Sequence, residues 1–82
     1  MIPLAKLRWQ CRRGTKELDY LLLRYVDLGY ALADDEEKAL FIDFLAQEDD
    51  QLIGILLGEL IVETTAMKVL VGKVRAFAVA GV

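Results

Sequence analysis

A chain of 82 residues with one cysteine and no histidine suits one small domain, and it lacks the commonest general base and the commonest metal ligand. Its hydrophobic fraction of 56% exceeds the roughly 45–50% of average proteins, which indicates a dense core or an apolar surface kept for a partner. The lone Cys11 excludes an internal disulfide and fits a reducing compartment. We therefore expect residues 1–82 to form a single domain.

Charge is segregated along the chain. Residues 1–16 carry five basic side chains and no acid, residues 17–63 carry all 13 acids with two basic residues, and residues 64–82 carry three basic residues. The basic start could contact an acidic partner, or it could pair with the acidic middle inside the molecule. The acidic middle argues against wrapping a nucleic acid.

The apolar spacing predicts about five helices, of which two lie before residue 30. The first follows Pro3 and carries a thin stripe of Leu4, Leu7 and Cys11. A break at residues 12–14 ends this helix. Thr15 can cap the second helix, and Gly29 is expected to end it. The stripe of the second helix has 3–4 spacing and consists of Leu18, Leu21, Leu22, Tyr25 and Leu28.

Three further helices follow. Asp34 and Glu37 form a capping box before a stripe of Leu40, Phe41, Phe44 and Leu45. The acidic run 48–50 is expected to close the third helix and to open the fourth. The stripe of the fourth helix is Leu52, Ile53, Leu56 and Leu57, and Gly58 is expected to stop it. Thr64 or Thr65 caps the fifth, whose stripe is Met67, Leu70, Val71 and Val74. Two β-prone runs, 60–62 and 69–71, are short and isolated, so the predicted fold is all-α, a small antiparallel bundle.

The usual motifs of catalysis and metal binding are absent from the sequence. Gly54 and Gly58 lie in an apolar helical pattern with no strand before them, unlike a phosphate-binding loop. The acidic runs 34–37 and 48–50 lack EF-hand spacing and are better explained by helix capping. The chain has no serine, and its threonines have no neighbouring base of the usual kind. We expect no catalytic residue, no metal site and no enzyme activity.

Residues 11–19 read Cys-Arg-Arg-Gly-Thr-Lys-Glu-Leu-Asp and contain an Arg-Gly-x-x-Glu pattern formed by Arg13, Gly14 and Glu17. Together with Arg8 and Trp9 just upstream, this pattern resembles the signature of the succinate dehydrogenase assembly factor family, the FAD assembly factors. The likeness continues through the acidic starts of the third and fourth predicted helices and covers roughly residues 5–57.

The resemblance implies a function. Such a factor binds the FAD-loaded flavoprotein subunit of succinate dehydrogenase and promotes a covalent bond between a histidine of that subunit and the flavin. The flavoprotein of fumarate reductase is a second expected client. FAD is then held by the partner, and this chain itself binds no cofactor. We also expect a monomer when the protein is free.

The residues expected to bind the partner lie in one stretch and are Arg8, Trp9, Arg12, Arg13, Gly14, Glu17 and Asp19. Arg13 could offer a planar fork of donors to the partner, or it could pair with Glu17 one turn into the second helix. Gly14 permits a positive φ and close approach of another backbone. Trp9 could anchor an interface or lie in the core.

Two other functions stay open from the residues alone. One is a small helical module that binds a different protein, and the other is nucleic-acid binding by the basic start, which the overall charge disfavours. Lys6 and Arg8 interrupt the start of the chain, unlike a secretory signal, and no apolar stretch approaches the roughly 20 residues that span a bilayer. We therefore expect a cytoplasmic protein that does not insert into a membrane.

Overall fold

A computed structural model describes residues 3–80, except for the side chain of Ala80. This part of the chain contains five α-helices, one short 3₁₀ turn and no strand, which confirms the all-α prediction. The helices are α1 (Leu4–Gln10), α2 (Lys16–Leu28), α3 (Asp35–Leu45), α4 (Asp49–Leu56) and α5 (Thr65–Ala80), and the 3₁₀ turn is Tyr30–Leu32. Of the two β-prone runs, 60–62 lies in the loop before α5 and 69–71 lies within α5. Residues 81–82 lie outside the described residues.

One apolar core joins all five helices. Helix α2 packs chiefly against α5, and both helices also contact α4, while α1 contacts α2 and α3 contacts α5. The largest fully buried side chains are Tyr25, Phe41, Phe44, Leu7, Leu18, Leu22, Leu52, Leu70, Val74 and Cys11. Each buried leucine or phenylalanine contributes about 1.5–3 kcal/mol relative to an exposed position. The predicted stripes therefore account for most of the core.

Three residues of the predicted stripes are exposed instead. Leu4, Leu28 and Leu57 are 56%, 39% and 65% exposed. Leu4 is the first residue of α1, Leu28 is the last of α2, and Leu57 is the C-cap of α4. Helical spacing placed them on the buried face, but each lies at a helix end, where the faces of neighbouring helices no longer cover it.

The capping box predicted for α3 forms only in part. The Oδ1 of Asp34 accepts a hydrogen bond from the backbone N–H of Glu37 at 2.8 Å. The Glu37 side chain does not complete the box, because it accepts hydrogen bonds from the Tyr25 hydroxyl and the Lys73 ammonium group. This glutamate therefore links α3 to α2 and α5.

The two predicted threonine caps differ. Thr64 caps α5, since its Oγ1 accepts a hydrogen bond from the N–H of Met67 at 3.2 Å. Thr15 occupies the N-cap position of α2 with extended backbone, but its side chain makes no capping bond. The N-cap position predicted for Thr15 is therefore confirmed without its hydrogen bond, and of the two candidates predicted for α5, Thr64 and Thr65, it is Thr64 that forms the cap.

Two glycines end helices for different reasons. Gly58 follows α4 with φ +83°, and the N–H groups of Gly58 and Glu59 donate to the carbonyls of Ile55 and Gly54 in a Schellman arrangement. Gly29 follows α2 with φ −117°, which any residue can adopt. There a Cβ would lie 2.5 Å from the ring of Phe77, so glycine is needed for the close packing of α5.

Ion pairs connect the oppositely charged parts of the chain. Within residues 3–80, each of the three pairs joins the acidic middle to one of the basic ends. The pairs are Arg8–Asp27, Arg13–Asp49 and Lys73–Glu37. Intramolecular pairing therefore accounts for part of the charge segregation, while the exposed Lys6, Arg12 and Lys16 form no ion pair with a described residue.

A helix that crosses a bilayer needs about 20 predominantly apolar residues. The longest described helix, α5, has 16 residues, and no helix between residues 3 and 80 combines the length and apolar character that a crossing requires.

Candidate partner-binding site

The motif loop, residues 11–15, connects α1 to α2 and carries the glycine of the Arg-Gly-x-x-Glu pattern. Gly14 has φ +84°, a backbone conformation that residues other than glycine rarely adopt. A Cβ added to Gly14 would meet no atom within 4 Å. Glycine is therefore needed here for the backbone conformation, and the space around it is open to another molecule.

The guanidinium group of Arg13 is directed into the molecule, where only 18% of the side chain is exposed. Its Nε donates to the carbonyl of Gln10 at 2.9 Å, and its Nη1 lies 3.3 Å from both the Gln47 carbonyl and the Oδ1 of Asp49. Its Nη2 donates to the carbonyl of Leu45 at the end of α3. Arg13 thus satisfies carbonyl groups that a helix end leaves without partners and fixes the motif loop against α3 and α4.

The two acidic residues of the motif have different surroundings. Asp19 is partly buried, and its Oδ1 accepts a hydrogen bond from the backbone N–H of Arg13 at 2.5 Å. Glu17 is exposed, and its side chain forms no hydrogen bond or ion pair with any described residue. The alternative that Arg13 pairs with Glu17 is therefore wrong, because Arg13 pairs with Asp49 on α4.

A cleft of about 410 Å³, which we call the Trp9 cleft, opens beside the motif loop. Its lining consists of Trp9, Gln10, Arg12, Arg13, Ile42, Leu45 and Ala46. Trp9 is 73% exposed, so it lies outside the core, and Arg12 is also exposed. Arg8 lies outside this lining and pairs with Asp27 on α2. The aromatic ring of Trp9 and the cationic group of Arg12 are therefore exposed at this cleft.

A second cleft of about 260 Å³, the Leu57 cleft, lies between the start of α2 and the end of α4. Its lining consists of Thr15, Glu17, Leu18, Leu21, Ile53, Leu56 and Leu57. Only Thr15 and Glu17 of this lining are polar residues. This cleft could not be predicted from the sequence, because its two walls lie more than 30 residues apart in the chain. The only indication of this cleft in the sequence is the apolar stripe of α4, which continues to the end of that helix.

Cys11 immediately follows α1 and is fully buried in the core. Burial raises the pKa of its thiol to about 12, against the opposing effect of the positive charges of Arg13 and Arg8. A thiol with this pKa is almost wholly protonated near neutral pH, so it is a poor nucleophile and a poor metal ligand. Cys11 therefore packs as a small apolar side chain.

A polar cluster of Tyr25, Glu37 and Lys73 joins α2, α3 and α5 away from the motif loop. Burial acts to raise the pKa of Glu37, but hydrogen bonds from Lys73 and Tyr25 outweigh it and hold that pKa below its ordinary value. Burial, together with the hydrogen bond to Glu37, raises the pKa of Tyr25. At neutral pH the Tyr25 hydroxyl of this cluster is therefore neutral and the Glu37 side chain is a carboxylate.

The structure thus distributes the seven expected site residues among three environments. Arg13 and Asp19 hold the motif loop through internal hydrogen bonds, and Arg8 pairs with Asp27. The remaining four lie open at or beside the loop and are Trp9, Arg12, Gly14 and Glu17.

Comparison with known proteins places these features in a family. The model of the family described as flavinator of succinate dehydrogenase matches residues 5–78, which include the motif loop and both clefts. The chain is 40% identical over 73 residues to the FAD assembly factor SdhE of Xylella fastidiosa, covering 89% of this chain and 75% of that protein. It is 37% identical over 75 residues to the SdhE of Shewanella oneidensis, covering 92% of each chain. The SdhE of Coxiella burnetii is 39% identical over 75 residues, covering 89% of this chain and 92% of that protein. The chain therefore belongs to the succinate dehydrogenase assembly factor family, the FAD assembly factors.

Proposed function

We propose that this protein binds the flavoprotein subunit of succinate dehydrogenase in the cytoplasm and promotes covalent attachment of FAD to that subunit. The histidine and the flavin that react belong to the flavoprotein, so this protein acts without catalytic groups and without a cofactor of its own. The flavoprotein of fumarate reductase is a second client. The observation that carries the proposal is an open glycine, Gly14, on a rigidly held loop inside the region that matches the family.

The motif loop is the centre of the proposed contact. Gly14 offers backbone without a side chain, and a surface of the flavoprotein can approach it closely. Trp9, Arg12 and Glu17 surround it with an aromatic ring, a cation and an anion that are free to make contacts. Aromatic and arginine side chains are enriched among residues that dominate binding energy.

Arg13, Asp19 and Arg8 serve the same contact by holding it in place. Arg13 and Asp19 fix the loop from within, and Arg8 fixes α1 to α2 through Asp27. A pre-organised loop loses little conformational freedom on binding, and this raises affinity without adding contacts. The seven motif residues therefore act together, four at the surface and three as its support.

Such a factor promotes flavinylation by stabilising one conformation of the flavoprotein, in which its histidine and flavin are aligned. Correct alignment of reacting groups lowers a barrier because less conformational freedom has to be lost on the way to the transition state. The binding free energy of the factor is available for this purpose only if it binds the aligned conformation better than others. A factor of this kind needs an extended, shaped surface and no reactive group.

Co-expression tests the proposal directly. The succinate dehydrogenase flavoprotein subunit is produced with and without this protein in a host that lacks its own assembly factor, and covalent flavin is scored by fluorescence of the denatured subunit in a gel. We expect a fluorescent band that depends on this protein. An equal band in both samples would show that the function is different. The purified protein alone, examined by visible absorbance, is expected to carry no stoichiometric flavin.

A further inference from the structure

We propose, on the basis of the function above, that the Leu57 cleft receives one large apolar side chain of the flavoprotein subunit, beside a lysine or arginine of that subunit that pairs with Glu17. This assigns a binding role to α4, outside the Arg-Gly-x-x-Glu pattern.

The lining of the Leu57 cleft is almost entirely apolar. Leu57 is 65% exposed, and Leu21 and Ile53 are partly exposed on the facing walls. A single exposed leucine is ordinary on a protein surface. Here, however, the leucine forms the rim of a concave site whose other residues are nearly all apolar. Covering this site removes apolar area from water, which favours an apolar occupant.

The size of the cleft limits what can enter it. Its volume of about 260 Å³ lies below the roughly 300–1,000 Å³ of pockets that hold drug-sized ligands. It is therefore too small for a dinucleotide such as FAD and has room for one large side chain.

The lining of the Leu57 cleft carries one negatively charged side chain. Glu17 is the only charged residue in the lining, and it has no partner among the described residues. Docking would remove this carboxylate from water, which is costly unless an opposite charge accompanies the docking surface. A surface that fits the cleft therefore carries a cationic group next to its apolar side chain.

The Leu57 cleft lies next to the motif loop. Thr15 ends the loop and also lines the Leu57 cleft, while Arg12 and Arg13 of the same loop line the Trp9 cleft. Gly14 lies between them in the chain. A partner surface that covers both Gly14 and its neighbour Thr15 therefore reaches the edge of the Leu57 cleft.

The test compares two exposed leucines. Leu57→Gln and the control Leu32→Gln remove apolar character with little change in volume, and Leu32 is 84% exposed on the 3₁₀ turn, outside both clefts. Binding of each full-length variant to purified FAD-loaded flavoprotein subunit is measured by titration calorimetry, after circular dichroism has shown a native helical signal. We expect Leu57→Gln to raise Kd about tenfold or more, and Leu32→Gln to leave it unchanged.

A second pair of variants tests the cationic neighbour. Glu17→Lys reverses the charge at the cleft, whereas Glu63→Lys makes the same change at an exposed loop position that lines neither cleft. We expect Glu17→Lys to raise Kd about tenfold or more. Binding of the wild-type protein to the flavoprotein should weaken as the salt concentration is raised, because salt screens the ion pair at Glu17. Equal Kd values for the two lysine variants would overturn the assigned cation.

The remaining outcomes separate this inference from the proposed function. If the wild-type protein does not bind the flavoprotein, the proposed function fails and the cleft assignment fails with it. If the wild type binds and Leu57→Gln binds equally well, the function stands and the assignment of the cleft is wrong. If sedimentation shows that Leu57→Gln instead dissociates a dimer of this protein, the cleft holds a second copy, which also overturns the inference.

Discussion

The Nη1 of Arg13 lies 3.3 Å from the Oδ1 of Asp49, so the motif loop is tied to the first residue of α4, 36 positions further along the chain. The same guanidinium group donates to carbonyls at the end of α3 and in the loop before α4. Because α4 carries one wall of the Leu57 cleft, this arginine also sets the position of that wall relative to Gly14. The arginine of the motif therefore supports the proposed binding surface from within the molecule.

Replacement of Arg13 is expected to destabilise the protein. Arg13→Ala removes four donated hydrogen bonds, and Arg13→Lys cannot reproduce their planar geometry, so each should lower the free energy of unfolding by about 2–3 kcal/mol. Urea denaturation measures the change. Arg12→Ala is the matched control, since an exposed arginine without an internal partner should change stability by no more than about 0.5 kcal/mol. Equal stability of the two alanine variants would contradict the role given to Arg13.

Features specified by neighbouring residues could be predicted from the sequence. The caps at Asp34 and Thr64 depend on side chains that reach only three residues along the chain, and both are present. The apolar stripes likewise follow from helical periodicity alone and account for most of the core. Local geometry therefore sufficed for the five helices. At Gly14 the sequence left a positive φ and close approach of a partner backbone both open, and the structure shows the positive φ.

Contacts between distant parts of the chain could not be predicted in this way. The acceptors of the Arg13 side chain lie mainly at residues 45–49, and no local pattern indicates that α3 ends against the motif loop. From the sequence, the only acceptors considered for the donors of Arg13 were therefore a partner protein and Glu17. Gly29 gives a second example, because its need for glycine arises from the ring of Phe77 on α5.

Cys11 provides a test of packing. Cys11→Ser places a hydroxyl group in a fully buried apolar site and should lower the free energy of unfolding by about 1–3 kcal/mol. The folded variant should still support flavinylation, because Cys11 lies beneath the surface. With the pKa of its thiol near 12, the wild-type cysteine should react slowly with a disulfide reagent at pH 8 until denaturant is added. A stable variant that cannot support flavinylation would reverse the assignment.

The cluster at Glu37 predicts how stability changes in acid. The pKa of Glu37 is lower in the folded protein than in the unfolded chain, so its contribution is present at neutral pH and is lost as pH falls through the folded pKa. When the pH falls below 4.5, the ordinary pKa of a glutamate, the free energy of unfolding of the wild type should therefore fall more steeply than that of Glu37→Gln. Chemical denaturation from pH 7 to pH 3 measures both slopes. Parallel curves would show that other carboxylates govern acid unfolding.

The two motif acids should respond differently to alanine. Asp19→Ala removes the acceptor of the Arg13 backbone N–H and should cost about 1–2 kcal/mol of unfolding free energy. Glu17→Ala removes an exposed side chain in the first turn of α2 and should cost only a few tenths of a kcal/mol. Thermal unfolding separates the two variants, and co-expression with the flavoprotein should show reduced covalent flavin for Glu17→Ala despite its stability. A stable and fully active Glu17→Ala would remove Glu17 from the proposed surface.

Gly14 gives the sharpest comparison, because its conformation and its surroundings make separate predictions. The φ of +84° should cost any ordinary side chain about 1 kcal/mol, and the open space around the glycine gives arginine no further internal clash. Gly14→Ala and Gly14→Arg should therefore lose similar amounts of stability in urea denaturation. Only the long arginine side chain should block docking, so covalent flavin should fall much further for Gly14→Arg than for Gly14→Ala. Asparagine tolerates positive φ, so Gly14→Asn should be the most stable of the three. Equal flavinylation by folded alanine and arginine variants would mean that Gly14 shapes the motif loop without touching the flavoprotein.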